Sequence, residues 1–281
     1  MSAVGSRATP GLTLRWWRQR RRLSQLELAA MANVSTRHLS YVETGKAAAS
    51  QQMLMRLADH LAIPPRDRNQ LLLAAGFAPV LNHTSWDAEE MTELRSSLHA
   101  FIESLGPNPA VIVDRHWNII TANRATAILT DGIDRTLMEP PVNMLRLSLH
   151  PDGIRRRSPN AGVCTAHLVA RLRHQAHLDG DVELQSLLAE LDGYASADDP
   201  SSDGGGRAPA RAAHDPTAPV STLHLATQLG EIRLYTTIAT LAAPLDVTAA
   251  ELAIETFVPA DDDSRRILHE LVRKRSPEAP R

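Results

Sequence analysis

The chain has 281 residues, a single cysteine and a formal net charge of −2. That length fits one large or two ordinary domains. The lone Cys164 excludes an intrachain disulfide, as expected of a cytoplasmic protein, and the absence of any run of about 18 apolar residues excludes a membrane-spanning helix. The net charge conceals a division. Residues 1–80 hold eleven basic residues against four acidic, +7, whereas residues 81–281 hold 19 against 28, −9. A basic block joined to an acidic one reads as two modules with different partners.

In chain order, Met1–Pro10 is polar and small, lacks the apolar stretch of a secretory signal, and is expected to be weakly ordered. Residues 12–80 read as helices only. Leu12–Arg22 is the first. Ser24 caps a second at Gln25–Ala32, Ser35 a third at Thr36–Glu43, and Ser50 precedes a fourth at Gln51–Leu61, stopped by Pro64 and Pro65. A fifth runs from Pro65 to Ala75 and ends at Gly76. A connecting helix is expected at Asp87–Leu105. Beyond it, Ala110–Asp114 and Trp117–Ala122 read as short strands joined by a tight turn at Asp114-Arg115-His116. Helical stretches follow at Asn123–Thr130, Asn143–His150, Ala161–Leu178 and Asp181–Leu191. Strands are expected again at Ser221–Gln228 and Glu231–Leu241, hinged at Leu229-Gly230, and at Glu251–Pro259, whose alternation of apolar and polar residues predicts a half-buried strand. Residues 192–219 are rich in Gly, Pro, Ser, Ala and Asp, and with the tail 276–281 they predict weak order. The expected organisation is therefore 1–10 flexible, 11–80 helical, 81–106 connecting, and 107–275 α+β with about five antiparallel strands.

The most informative stretch is Leu23–Gly45. Two short helices lie about three residues apart, with Leu28, Ala29, Ala32, Val34, Leu39 and Val42 at the positions that pack inward. The outer face of the third helix keeps Thr36, Arg37, Ser40 and Tyr41, all hydrogen-bonding types. Such a helix can enter a major groove and meet base edges. Gln25 opens the preceding helix, where its amide can reach a phosphate or bridge to a base contact. Ser35, Arg15 and Lys46 complete the expected DNA-contacting set. Among Arg15, Arg18, Arg20, Arg21 and Arg22, two or three are expected to meet phosphate, since consecutive residues cannot share one helical face. Trp16 and Trp17 are read as one core residue and one partly exposed. A helical bundle that binds protein is the alternative for this block.

Chemistry is thinner in the second block. Cys164 and His167 stand three apart on an expected helix, so a thiol–imidazole pair is conceivable, but no orienting carboxylate lies near in sequence. The twelve histidines are scattered, His174 and His177 excepted, without complementary ligands for a metal. Gly204-Gly205-Gly206 has no strand before it and is no phosphate loop. No enzyme and no cofactor are expected.

Two resemblances add to this reading. Ser24-Gln25, Leu28-Ala29, Val34-Ser35, Leu39-Ser40, Glu43 and Gly45 resemble the helix-turn-helix of the Xre/phage-repressor family over residues 12–75. Asn33 stands where that family usually has Gly, and it is the non-Gly residue that best tolerates a left-handed backbone. The blocks PAVIVDRHWNIITANRATAIL, NMLRLSLHPDGIR, HLVARLRHQA and ATLAAPLDVTAAELAIETFVPADD resemble the MmyB-like ligand-binding domain. That resemblance implies a PAS-like domain behind the DNA reader, holding a lipophilic, fatty-acid-like ligand. It implies a transcription regulator, expected as a homodimer on two-fold-related operator DNA in the cytoplasm and at the nucleoid. Met144, Leu145, Leu147 and Leu149 are the candidate lining, and Arg146 or His150 the candidate anchor for a carboxylate. Trp117 and Asn123 match the family pattern, with packing and helix capping as their alternatives. A constitutive regulator whose second domain only dimerises is the alternative for the whole chain.

Overall fold

The structure, a computed structural model, describes residues 9–179, 181–196, 222–242 and 244–275. The weak order expected at 1–8, 197–219 and 276–281 lies outside the described residues. Residues 192–196 do not belong to a loop: they continue a helix. Two compact units emerge. The first comprises residues 1–84, 174–185 and 243–250, and the second comprises 85–173, 186–242 and 251–281.

The first unit is built on five helices, α1 (Pro10–Arg20), α2 (Gln25–Met31), α3 (Thr36–Glu43), α4 (Gln51–His60) and α5 (Pro65–Ala74). Their starts follow from local chemistry. Ser24, Ser35 and Ser50 each accept a hydrogen bond from the backbone N–H three residues on, and Ser24 forms a reciprocal capping box with Glu27. Thr9 caps α1, which begins two residues earlier than the apolar spacing predicts because Pro10 is preorganised for a first helical turn. Asn33 takes φ +52 in the turn between α2 and α3, and Gly76 takes φ +81 after α5. Leu28, Ala29, Ala32, Leu39 and Val42 are buried in one core with Leu14, Trp17, Leu54, Leu57, Leu61, Leu71 and Leu72, and Val34 packs against it. Trp17 is fully buried, while Trp16 is half-buried and meets it edge-to-face at 4.9 Å. A Cβ on Gly11 would lie 2.2 Å from the Val42 carbonyl oxygen, so only glycine lets α1 approach the end of α3 this closely.

The second unit carries a five-stranded antiparallel sheet in the order β2-β1-β5-β4-β3. Its strands are β1 (Ala110–Val113), β2 (Ile119–Ala122), β3 (Thr222–Thr227), β4 (Gly230–Thr240) and β5 (Ala253–Pro259). Strand β2 starts two residues later than expected. Asp114 accepts from the His116 and Asn118 backbone N–H groups at 2.8 and 2.9 Å, and Trp117 takes φ +68, a conformation no strand residue adopts. Between β3 and β4 the connection is Gln228-Leu229, with Gly230 already paired to Thr227.

Five further α-helices are α6 (Thr92–Ser104), α7 (Met144–Leu149), α8 (Ala161–Asp179), α9 (Val182–Ser196) and α10 (Val247–Ala250), and α11 (Asp262–Arg275) closes the described chain. Helix α11 escapes the sequence reading, and the stretch expected as a helix at Asn123–Thr130 is a short 3-10 turn, Arg124–Ile128. The sheet is covered on both sides. Leu98 and Ile102 of α6 pack with Ala110, Ile112 and Ile254 on one face. Register places Glu255 opposite Val111, on the other face. Strand β5 is therefore buried almost throughout, where alternation predicts a wet side.

Candidate functional site

Helix α3 carries the candidate DNA-reading face. Ser35 fixes its first turn by accepting from the His38 N–H at 3.1 Å. Below lie the buried Leu39 and Val42. Above, Thr36 and Ser40 are half-buried, and Arg37 and Tyr41 are exposed. Arg37 Nε donates to the Tyr41 hydroxyl at 3.1 Å, and its guanidinium carbon stands 5.4 Å from the ring centre. Lys46 Nζ reaches the same ring at 6.0 Å. Arg37, Tyr41 and Lys46 thus form one exposed cationic cluster, held by contacts weak enough for Arg37 to reorient. Exposed Arg15 lies apart from it, on α1.

The arginine run of α1 divides. Arg18 is buried and paired with Glu43, Nε to Oε1 at 2.7 Å and Nη2 to Oε2 at 2.9 Å, and its Nη1 donates to the Leu23 carbonyl at 2.8 Å. This bonding raises the Arg18 pKa. Gln25 Nε2 donates to Glu43 Oε2 at 2.8 Å, so that amide nitrogen braces the buried pair and does not stand ready for phosphate. Arg21 donates to the Leu61 and Ala62 carbonyls, and the Arg20 guanidinium lies 4.1 Å over the Trp16 ring. Arg15 and Arg22 are the exposed members of the run.

In the second unit, α7 and α8 close a pocket over the sheet. Its cavity is about 110 Å³, room for a short chain and less than the roughly 300–1,000 Å³ of a drug-sized site. Ala161, Cys164, Thr165, Leu168 and Arg171 of α8 recur at helical spacing and line one wall. Met144, Leu145 and Leu149 of α7 line another, and Glu255 and Phe257 come from β5. Asn143 sets the start of α7: its Oδ1 accepts from the Leu145 and Arg146 backbone N–H groups, while its Nδ2 donates to the His116 carbonyl at 2.8 Å. A Cβ on Gly153 would lie 2.2 Å from the Leu147 carbonyl oxygen, so the chain leaving α7 folds back only through glycine.

Other expected ligand residues stand outside this pocket, and Leu147 is buried in the core without lining it. Arg146 is held by Glu190, with Nε–Oε1 and Nη2–Oε2 both at 2.8 Å, which lowers the Glu190 pKa. Its charge is matched there, so it is no carboxylate anchor in the pocket. His150 packs edge-to-face on Tyr194 at 5.1 Å. Asn123 is buried with all its polar atoms engaged: it donates to the Ile102 and Asn108 carbonyls and accepts from the Ala110 N–H and the Thr126 hydroxyl. It joins β1 to the end of α6. Trp117 acts indirectly, since its ring lies 4.3 Å beneath the Arg171 guanidinium.

Sequence reasoning missed the polar pair in the pocket. Arg171 Nη2 stands 3.7 Å from Glu255 Oε1. Burial pushes the Glu255 carboxyl above its ordinary pKa against the pull of Arg171, and pushes Arg171 below its own. Regular alternation along β5 concealed Glu255; a second covering layer on the sheet, visible only in three dimensions, is what buries it.

The same pocket gathers Cys164 and His167 of α8 and the Glu255 carboxyl of β5, the residue types a thiol enzyme would need. The chemistry does not follow. Burial pushes the Cys164 thiol up to about 11, and Sγ donates to Asn160 Oδ1 and the Thr222 carbonyl at 3.6 Å. A thiol held protonated is a poor nucleophile. Among the described residues no cluster of His, Cys, Asp and Glu offers a metal site, and no helix is long and apolar enough to cross a membrane.

A helix-turn-helix with an exposed outer face on its second helix, followed by a domain with a pocket over its sheet, defines a DNA-binding transcription regulator with a ligand-binding domain. Comparison with known families agrees: residues 14–67 match the helix-turn-helix family, and residues 94–271 match the MmyB-like transcription regulator ligand binding domain. The chain belongs to the MmyB-like transcription regulators, with an Xre-like helix-turn-helix at its N-terminus. No curated protein matches it.

Proposed function

We propose that this regulator is ligand-responsive: a lipophilic, fatty-acid-like molecule in the second, PAS-like domain changes how tightly a homodimer holds two-fold-related operator DNA. The observation that carries this reading is the pocket over the sheet, apolar along Met144, Leu145, Leu149, Leu168 and Phe257. It favours ligand sensing over a constitutive regulator whose second domain only dimerises. In the first unit, Thr36, Arg37, Ser40 and Tyr41 read base edges, Arg15, Ser35 and Lys46 contact the backbone, and Gln25 positions α2 against α3. The protein acts in the cytoplasm, at the nucleoid, and needs no cofactor beyond the ligand.

The ligand must bind the two DNA-binding states with different affinity, or nothing shifts. Native mass spectrometry of protein purified without detergent is expected to show a dimer with a bound small molecule. Fluorescence anisotropy on operator DNA is then expected to give different affinities for the loaded and stripped protein. Equal operator affinity across every bound lipid overturns the regulatory part and leaves DNA binding intact.

A further inference from the structure

We propose that the pocket holds its ligand's carboxyl against Glu255 with a single proton shared between the two, so that the ligand is released as pH rises. The inference rests on the reading of the pocket as the site of a fatty-acid-like ligand, and it gives that site a regulation by proton concentration. Four polar atoms carry it. Nε and Nη2 of Arg171, Oε2 of Glu255 and Oγ1 of Thr165 are buried with no hydrogen-bond partner among the described residues, and all three residues line the cavity. Glu255 is 3% exposed and Thr165 5%. Buried polar atoms are ordinarily paired, because leaving them bare forfeits their hydration. Arg171 Nη2 stands 3.7 Å from Glu255 Oε1, beyond hydrogen-bond reach.

The donor and acceptor inventory says what completes the four atoms. Arg171 offers only donors and Thr165 a hydroxyl that can donate. Glu255 donates when protonated and accepts when ionised. A ligand carboxyl has two oxygens with room for about four hydrogen bonds. It can accept from Arg171 and Thr165 and still meet Glu255, on one condition. A proton must lie between the two carboxyls, because two carboxylates have no donor between them and repel in a low-dielectric space. The charge count agrees: Arg171, two carboxyls and one shared proton sum to zero, and without that proton the buried site is left with one uncompensated negative charge. The proton is already on Glu255 where burial keeps that carboxyl protonated, and comes from solvent where it has ionised. Burial favours the first case. Either way, one charge-assisted O–H···O bond joins Glu255 to the ligand.

No neighbour supplies this proton instead. Across the sheet Glu255 pairs with Val111 and Ile238, both uncharged. Among the described residues, α7, β3 and β4 bring no ionisable side chain to the lining. The 3-10 turn Ile154–Arg157 brings Arg155, which donates to the Leu149 and Tyr194 carbonyls. Helix α8 brings Arg171, Cys164 and His167. Burial pushes Cys164 up to about 11, and His167 is exposed.

The test is isothermal titration of the delipidated full chain with octanoate and octanamide from about pH 6 to about pH 9. Octanoate is expected to lose at least tenfold in affinity, approaching tenfold per pH unit once Glu255 of the empty site has ionised. Octanamide brings its own donor and is expected to change less than about threefold. Near the top of the range, buffers of different ionisation enthalpy are expected to count about one proton taken up per octanoate bound. Glu255→Gln, which donates without titrating, is expected to flatten the octanoate profile to within about threefold, and His167→Gln to leave it as in the wild type. Octanoate binding that does not weaken with pH overturns the proposal and leaves the pocket as the ligand site. A profile that survives in Glu255→Gln, or disappears in His167→Gln, likewise overturns it. Failure of both probes to bind removes the ligand site itself. The wild-type profiles decide the matter even if a variant does not fold.

Discussion

Two arginine–glutamate pairs, one in each unit and each with a buried carboxylate, use the same side chains to opposite ends. Arg18–Glu43 is closed: two charge-assisted hydrogen bonds join the partners, the Leu23 carbonyl takes a third N–H, and Gln25 takes up the carboxylate. Arg171–Glu255 is open, 3.7 Å apart, with both partners carrying unmatched atoms. A buried ion pair holds a fold together only when its geometry and hydrogen bonds offset desolvation. The first does so and ties α1, α2 and α3 together beneath the reading face. The second does not: its partners stand 3.7 Å apart with no hydrogen bond between them.

Mutation can break or sharpen this contrast. The largest effect is expected for Glu43→Ala, which strands Arg18 in the core at a cost of about 3–5 kcal/mol; thermal or urea unfolding measures it, and a loss well under 1 kcal/mol would make the two pairs equivalent. Next is Arg37→Ala. In the proposed reading Arg37 is one of the base contacts on α3, so specific operator binding is expected to weaken by about 1–3 kcal/mol with relaxed preference at one position. Equal weakening on all sequences would make Arg37 a phosphate contact.

Glu255→Gln is expected to cost less than Glu43→Ala, because the pair it breaks has no hydrogen bond and Arg171 is partly exposed. Its pH dependence has a definite sign. Burial raises the folded-state pKa of Glu255, so the wild type loses stability as pH rises from the ordinary carboxyl value through the folded one. Gln does not titrate, and the comparison must move in its favour over that range. A fluorimetric melting series across pH checks this. The smallest effect belongs to Arg146→Ala. Its pair with Glu190 is about one-third exposed, and the expected cost is roughly 0.2–1 kcal/mol, reduced by salt. Glu190, whose pKa that pair lowers, contributes stability above its unfolded pKa and loses it as pH falls through the folded one.

The helical unit was legible because its determinants are local. Ser24, Ser35 and Ser50 sit three residues from the N–H groups they cap, Asn33 and Gly76 mark turns by backbone preference, and the inner face of α3 repeats within two turns. The strands were legible as periodicity, but their order in the sheet was not, because it is set by pairing between distant segments. The pocket was legible only as an apolar run: Met144, Leu145 and Leu149 declare themselves by hydrophobicity. Arg146 looked like an anchor because Glu190, 44 residues on, is invisible from its neighbours. Arg171 and Glu255 lie on separate elements and meet only through sheet register, which no local pattern reports. Arg18 read as a surface charge for the same reason, its partner being 25 residues away.

The strand order β2-β1-β5-β4-β3 seats the last-made strand in the middle of the sheet. A nascent chain leaving the ribosome therefore holds two hairpins, β1–β2 and β3–β4, each marginal alone, until Ala253–Pro259 arrives to join them. The buried core of the helix-turn-helix comes entirely from Leu14–Leu72 and has been synthesised long before. A product cut or stalled ahead of β5 would retain every residue of the DNA-reading core and lack Glu255 and Phe257. Such a fragment would carry a helix-turn-helix with an incomplete pocket behind it.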